Sequence, residues 1–144
     1  MTGKYKHSVD GKGRLFLPAK MRDELGRNVC VSRSLTHECA VVYSQRQWED
    51  IKAKIRELPI DEASEIQTEL GAYSSEQELD SQGRIIIKQE LRDDFDLGGE
   101  VMVVGALEWV QIWNLEKWQE KEASFSLEKM KKSVGKLIFN GKTT

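Results

Sequence analysis

Short apolar runs alternate with stretches of helical spacing along this chain, and the alternation predicts a series of strands and helices. Leu15, Phe16 and Leu17 run without polar interruption, as do Ile85, Ile86 and Ile87, the pattern of a strand covered on both sides. Pro18 suits the first turn of a short helix over Ala19 to Leu25, closed by Gly26; the counterpart spans Gln89 to Phe95, ahead of Gly98-Gly99. Two more strands follow each small helix: Val29 to Ser32 and Ala40 to Tyr43, then Val101 to Val104 and Val110 to Trp113. Ser44 with Gln47 marks the start of a helix that carries Trp48, Ile51, Ile55 and Leu58 near one face, and Asn114 caps its counterpart. Pro59 ends the first of these, and Asp61 is placed to cap a linking helix with Ile66, Leu70 and Tyr73. Leu127, Met130, Val134 and Leu137 predict a C-terminal amphipathic helix with Ser126 as its cap.

The same order of elements occurs twice, and one phrase marks the register. Asp10-Gly-Lys-Gly-Arg14 and Asp80-Ser-Gln-Gly-Arg84 lie seventy positions apart, each followed by its apolar run; Arg22 matches Arg92, Tyr43 matches Trp113 and Trp48 matches Trp118. In each phrase the aspartate bonds the backbone two residues on and Gly13 or Gly83 supplies positive φ, so each is a tight turn. One structural unit of turn, strand, small helix, two strands and longer helix is therefore used twice. Units of about 45 residues rarely bury a stable core alone, so the copies should share one around a pseudo-twofold axis, as a β-rich barrel or sandwich. The expected division is repeat 1 over 5–47, a helical linker over 48–75, repeat 2 over 76–119, and a C-terminal helix with a basic tail over 120–144.

Composition narrows the function. Of 144 residues, 39% are hydrophobic and 32% charged, as in soluble globular proteins, and no apolar stretch reaches the length of a membrane span. The segment Met1 to His7 lacks an apolar core and a cleavage site, which predicts a cytoplasmic protein. Cys30 and Cys39 lie in apolar surroundings and suit buried free thiols. His37-x-Cys39 has no second close pair to complete a metal site. No catalytic triad, phosphate-binding glycine loop or ligand pocket is evident, so neither an enzyme nor a cofactor is expected. The net charge of −2 is unevenly spread: residues 1–22 hold six cations against Asp10 alone, whereas 71–92 hold three against four acids. From Lys129 onward there are five lysines and no acid, a solvated face or a further phosphate contact.

The run Gly3-x-Tyr5-x-His7-x-x-Asp10-x-Lys12-Gly13-Arg14-Leu15-x-x-Pro18-Ala19-x-x-Arg22-x-x-Leu25-Gly26 resembles the opening of the MraZ family, bacterial regulators of the division and cell wall gene cluster. Glu78-Leu79-Asp80-x-x-Gly83-Arg84-Ile85 and Ile112-Trp113-x-x-x-x-Trp118 resemble its second half, so the likeness covers roughly residues 1–120. It implies an α+β fold of two tandem SpoVT-AbrB-like repeats in a swapped-hairpin β-barrel with helices after each. It also implies a ring homo-oligomer at the nucleoid, repressing its own operon by binding short direct repeats of promoter DNA. Carried onto this chain, the likeness makes Arg14 the base contact. Lys4, Lys6, His7, Lys12, Lys20 and Arg22 would position phosphates, and Asp10, Gly13, Asp80, Gly83 and Arg84 would build the turns. Two departures stand out: Lys88 replaces a proline, which allows a different start for the second small helix, and Ser81-Gln82 puts no cation beside Arg84. Alternatives are an AbrB-like or antitoxin-like regulator of other genes and a structural ring without DNA contact. Trp109 is a candidate interface anchor.

Overall fold

In the computed structural model, which describes residues 1–142 and their side chains through Leu137, fourteen elements follow one another. The first half contains β1 (Lys4–Ser8), β2 (Arg14–Phe16), α1 (Ala19–Leu25), β3 (Asn28–Arg33), β4 (Ala40–Ser44), α2 (Gln45–Arg56) and α3 (Ile60–Tyr73). The second contains β5 (Ser75–Glu78), β6 (Arg84–Ile86), α4 (Gln89–Phe95), β7 (Glu100–Gly105), β8 (Val110–Asn114), α5 (Leu115–Ala123) and α6 (Leu127–Lys142). Residues 143–144, the end of the basic tail, and the side chain of Lys142 lie outside the described residues.

Each repeat has one strand more than its hydrophobic pattern announces. β1 (KYKHS) and β5 (SEQE) carry almost no apolar signal because they are the two edges of a six-stranded antiparallel sheet ordered β1-β7-β8-β4-β3-β5. These polar strands are exchanged: β1 of the first repeat pairs with β7 of the second, Tyr5 opposite Val103, while β5 pairs with β3 of the first, Val29 opposite Gln77. A separate ribbon joins β2 to β6, with Leu15 opposite Ile85. Every inter-repeat pairing thus has its pseudo-symmetric mate, and the α+β fold is two tandem repeats closed on each other.

The sheet has two covered faces. On one, the ribbon with α1 and α4 seals a core containing Leu15, Leu17, Met21, Ile85, Ile87 and Leu91 against Val31, Val101 and Ile112. On the other, α2, α3 and α5 bury Trp48, Ile55, Leu70 and Trp118 against Val41, Tyr43 and Trp113. Trp109 belongs to this second layer, half-buried, with its ring edge-on to Tyr43 at 5.7 Å. Cys30 and Cys39 are buried free thiols on the same side, and burial pushes them up to about 11 and about 12.

Three sequence expectations change. The ribbon is covered on one side only: Leu15, Leu17, Ile85 and Ile87 are buried, but Phe16 and Ile86 are 46% and 53% exposed. A strand that crosses over a core edge keeps its period of two even when every residue is apolar. The second small helix starts at the same position as the first, because Lys88 adopts φ −58° and ψ 150°, close to the −55° and 141° of Pro18. Asp61 lies inside the first turn of α3, where its charge favours the helix N-terminus, and Pro59 occupies the cap. The Ser44–Gln47 capping box forms as expected, Asn114 Oδ1 accepts from the Lys117 N–H, and Ser126 Oγ accepts from the Lys129 N–H.

Candidate nucleic-acid interface

The two Asp-x-x-Gly-Arg turns fold into the same hydrogen-bonded object. Asp10 Oδ1 accepts from the backbone N–H of Lys12 and of Arg14, both at 2.9 Å, and its Oδ2 accepts from Arg14 Nε at 2.7 Å. Asp80 repeats this with Gln82 and Arg84, the last through Nε at 2.6 Å. The Arg14 backbone N–H, supported by its guanidinium and the Lys12 N–H, holds the Asp10 carboxyl down at about 2. Asp80 is lowered for the same reason, first through the Arg84 N–H. Each aspartate thus caps its turn and fixes its arginine, which leaves the far edge of the guanidinium free to donate elsewhere.

Glycine is required at the third step of each turn. Gly13 has φ +82° and lies so close to β6 that an added Cβ would sit 2.5 Å from the Ile87 carbonyl oxygen. Its own carbonyl accepts from the Ile87 N–H at 2.7 Å, and Gly83 accepts from the Leu17 N–H at 3.2 Å. The turn of one repeat is therefore laced to the strand end of the other. Arg22 lies over Gly83, and Arg92 lies over Gly13 with its Nε donating to the Ile87 carbonyl at 2.9 Å. The matched arginines Arg22 and Arg92 are thus cross-repeat braces, and the buried Arg22 Nε has no hydrogen-bond partner among the described residues.

The outer face of the ribbon presents four side chains. Register places Arg14 opposite Ile86 and Phe16 opposite Arg84. This substitution of an aromatic for an aliphatic breaks the pseudo-symmetry. The Arg84 guanidinium stacks on the Phe16 ring, 5.5 Å from its centroid, and its side chain is 19% exposed; Arg14 faces an aliphatic neighbour and is 36% exposed. A second asymmetry lies along the ribbon edges. Gln77 clamps the Ile86 backbone, accepting from its N–H at 2.8 Å and donating to its carbonyl at 3.0 Å. At the equivalent place stands His7, and among the described residues no side chain makes those bonds to Phe16.

The remaining cations are dispersed. Lys12 is exposed in the turn beside Arg14, and Lys20 is exposed on α1. His7 shares a β1 face with Tyr5, opposite Val101 and Val103 of the ribbon-side core, and is half-buried. Lys4 and Lys6 point to the other face, where Lys4 pairs with Glu122 of α5 and Lys6 lies 3.6 Å from Glu100. The ribbon therefore gathers Arg14 and Lys12 and not the two N-terminal lysines. Phe16 and Gln77 were not legible as site residues, although the offset of seventy that aligns Phe16 with Ile86 and His7 with Gln77 already separates the copies chemically.

Comparison with known proteins agrees with the doubled architecture. The family model described as "MraZ protein, putative antitoxin-like" matches twice, over residues 1–69 and 70–136. A protein of Caldicellulosiruptor saccharolyticus named Transcriptional regulator MraZ is 37% identical over 141 residues, covering 95% of this chain and 98% of its own. Its namesake in Natranaerobius thermophilus is 40% identical over 129 residues, 85% of this chain and 90% of that one. The namesake in Carboxydothermus hydrogenoformans is 39% identical over 118 residues, 81% and 82% of the two chains. With two matched repeats sharing one sheet and one ribbon, the chain belongs to the MraZ family.

Proposed function

We propose that this chain is a sequence-specific DNA-binding transcriptional regulator, a repressor of the division and cell wall gene cluster. It acts in the cytoplasm at the nucleoid and binds short direct repeats in its own promoter as a ring of identical subunits. The family membership supports the regulatory class. The observation that carries the DNA-reading residue is the contrast between the two arginines: Arg14 is held by Asp10 with its outer edge open, whereas Arg84 is stacked under Phe16. A guanidinium fixed on a rigid strand loses little freedom when it donates two hydrogen bonds to guanine O6 and N7, a contact worth about 1–3 kcal/mol of discrimination. Lys12 and Lys20 would add salt-dependent phosphate contacts without sequence information. Lys4, Lys6, His7 and Arg22 take a smaller share, since Lys4 and Lys6 must leave acidic partners and Arg22 is engaged over Gly83. The repeat 1 and repeat 2 units, 5–47 and 76–119, serve as reader and scaffold.

One arginine per subunit makes affinity for a single short site modest, so tight binding requires several subunits on spaced repeats. The antitoxin-like alternative, in which two chains each lend one repeat, is disfavoured because β1, β5 and the β2–β6 ribbon complete both repeats within one chain. The test is a gel-shift titration on promoter DNA carrying one repeat. Arg14→Ala should reduce discrimination against a mutated repeat by about 5- to 150-fold, the range set by one bidentate contact. Arg84→Ala should lose far less. Wild-type affinity and discrimination in Arg14→Ala contradicts the assignment, and equal losses in the two variants remove the asymmetry.

A further inference from the structure

We infer that α6 is an assembly arm that docks, in a second copy of this chain, into the apolar groove between α2, α3 and the β3–β4 loop. Within each repeat a long helix is followed by another, yet the two followers behave differently. After α2 the chain turns at Pro59, and α3 returns to bury Ala63 and Leu70 on the sheet-side core. After α5, α6 occupies the same place in the repeat, but none of its described side chains, those through Leu137, is buried: Leu127, Met130, Val134 and Leu137 are 69%, 61%, 42% and 77% exposed. Their spacing puts them on one face of the helix, a stripe about 15 Å long at 1.5 Å per residue. An amphipathic helix with an open apolar face is an unfinished contact.

The complementary surface is on the other half of the molecule. A groove of about 630 Å³ is lined by Leu35, Ile51, Leu58 and Ile66, with Glu69 at its rim. Charge selects the occupant. α3, one wall of the groove, carries Asp61, Glu62, Glu65 and Glu69 and no cation. Up to Leu137, α6 carries Lys129, Lys131, Lys132 and Lys136 against Glu128 alone. The groove's own cations are Lys54 and Arg33, and Arg33 is occupied by Asp94 and the Tyr73 ring. Two copies of α6 packed on each other would oppose lysine to lysine, whereas α6 against α3 opposes lysine to glutamate. Arm and groove are different surfaces, so the contact is heterologous, and successive copies extend head to tail until the rotation closes. This supplies contact surfaces for the ring proposed above and rests on that part of the reading, but not on DNA binding.

The experiment measures the mass of the full-length chain by size exclusion with light scattering, without DNA, and confirms folding by circular dichroism. Met130→Asp with Val134→Asp damages the arm; Leu35→Asp with Leu58→Asp damages the groove at positions that are already exposed. Each double variant alone should fall to monomer mass, and an equal mixture should give a dimer and nothing larger, because one arm and one groove remain intact. Wild-type mass in either variant, or a mixture that stays monomeric, overturns the proposal, as does a wild-type chain that is itself monomeric. A groove variant that fails to fold is replaced by Glu65→Lys with Glu69→Lys, both exposed, for which unchanged mass is the overturning result. Arg14→Ala should keep wild-type mass, so failure of promoter binding and failure of assembly are read separately.

Discussion

Replacing Gly13 by alanine tests whether the turn of one repeat is built against the backbone of the other. The new Cβ would sit 2.5 Å from the Ile87 carbonyl oxygen, where ordinary contact begins at 3.4 Å, so turn and strand must separate by about 0.9 Å. That movement breaks the 2.7 Å bond from the Ile87 N–H to the Gly13 carbonyl, a loss of about 1 kcal/mol. Holding alanine at φ +82° adds about 1–2 kcal/mol. The expected cost is therefore about 2–3 kcal/mol, or roughly 5–10 °C in Tm for a chain of this size. Gly83→Ala is the internal control. Its φ of +78° imposes the same conformational cost, but the new Cβ meets the Arg22 side chain, with Cδ at 2.6 Å, and a side chain can swing aside. Gly83→Ala should accordingly cost about 1–2 kcal/mol. Urea unfolding followed by tryptophan fluorescence at one fixed protein concentration measures both. If Gly13→Ala proves no worse than Gly83→Ala, the cross-repeat contact does not constrain the turn and the reasoning is refuted.

Two further outcomes follow from the same asymmetries. The lowered Asp10 carboxyl binds fewer protons folded than unfolded, so its contribution is present in full above 3.8 and is lost as pH falls toward about 2. Tm measured from pH 5 to 2 should fall less steeply in Asp10→Asn than in the wild type, and parallel curves would count against this. The buried Trp48 Nε1 donates to Glu76 at 2.8 Å, while its counterpart Trp118 finds no acceptor among the described residues, Lys6 standing at the position that matches Glu76. Glu76→Ala should cost about 1 kcal/mol in urea unfolding and Lys6→Ala less than about 0.5; a larger loss from Lys6→Ala would show that the N-terminal lysine is structurally engaged.

The repeats were legible because their strongest signals are local. A turn needs aspartate, glycine and arginine at fixed spacing, and capping residues announce α2 and α5. What stayed hidden is long-range. β1 and β5 are polar because they are edges, so their sequences resemble loops, and only the partner strand shows that they cross between repeats. Leu15-Phe16-Leu17 is apolar throughout, which conceals that Phe16 points outward; the reason to keep it apolar lies across the ribbon, in Arg84. Neighbouring charge separates Arg14 from Arg84 in the sequence, whereas the structural difference between them, a change of one cross-strand partner, has no signature until the register is known. Local charge also leaves the surroundings of Lys4 and Lys6 hidden, since the acids beside them in the fold lie about a hundred positions away.

The exchange of β1 and β5 sets the timetable of synthesis. When the ribosome has released the first half, β3 has no outer neighbour until residues 75–78 emerge, and β1 has none until residues 100–105. The nascent amino-terminal half must therefore wait with unsatisfied sheet edges, in a state open to mispairing with other chains. Its maturation comes late, gated by the arrival of its sibling.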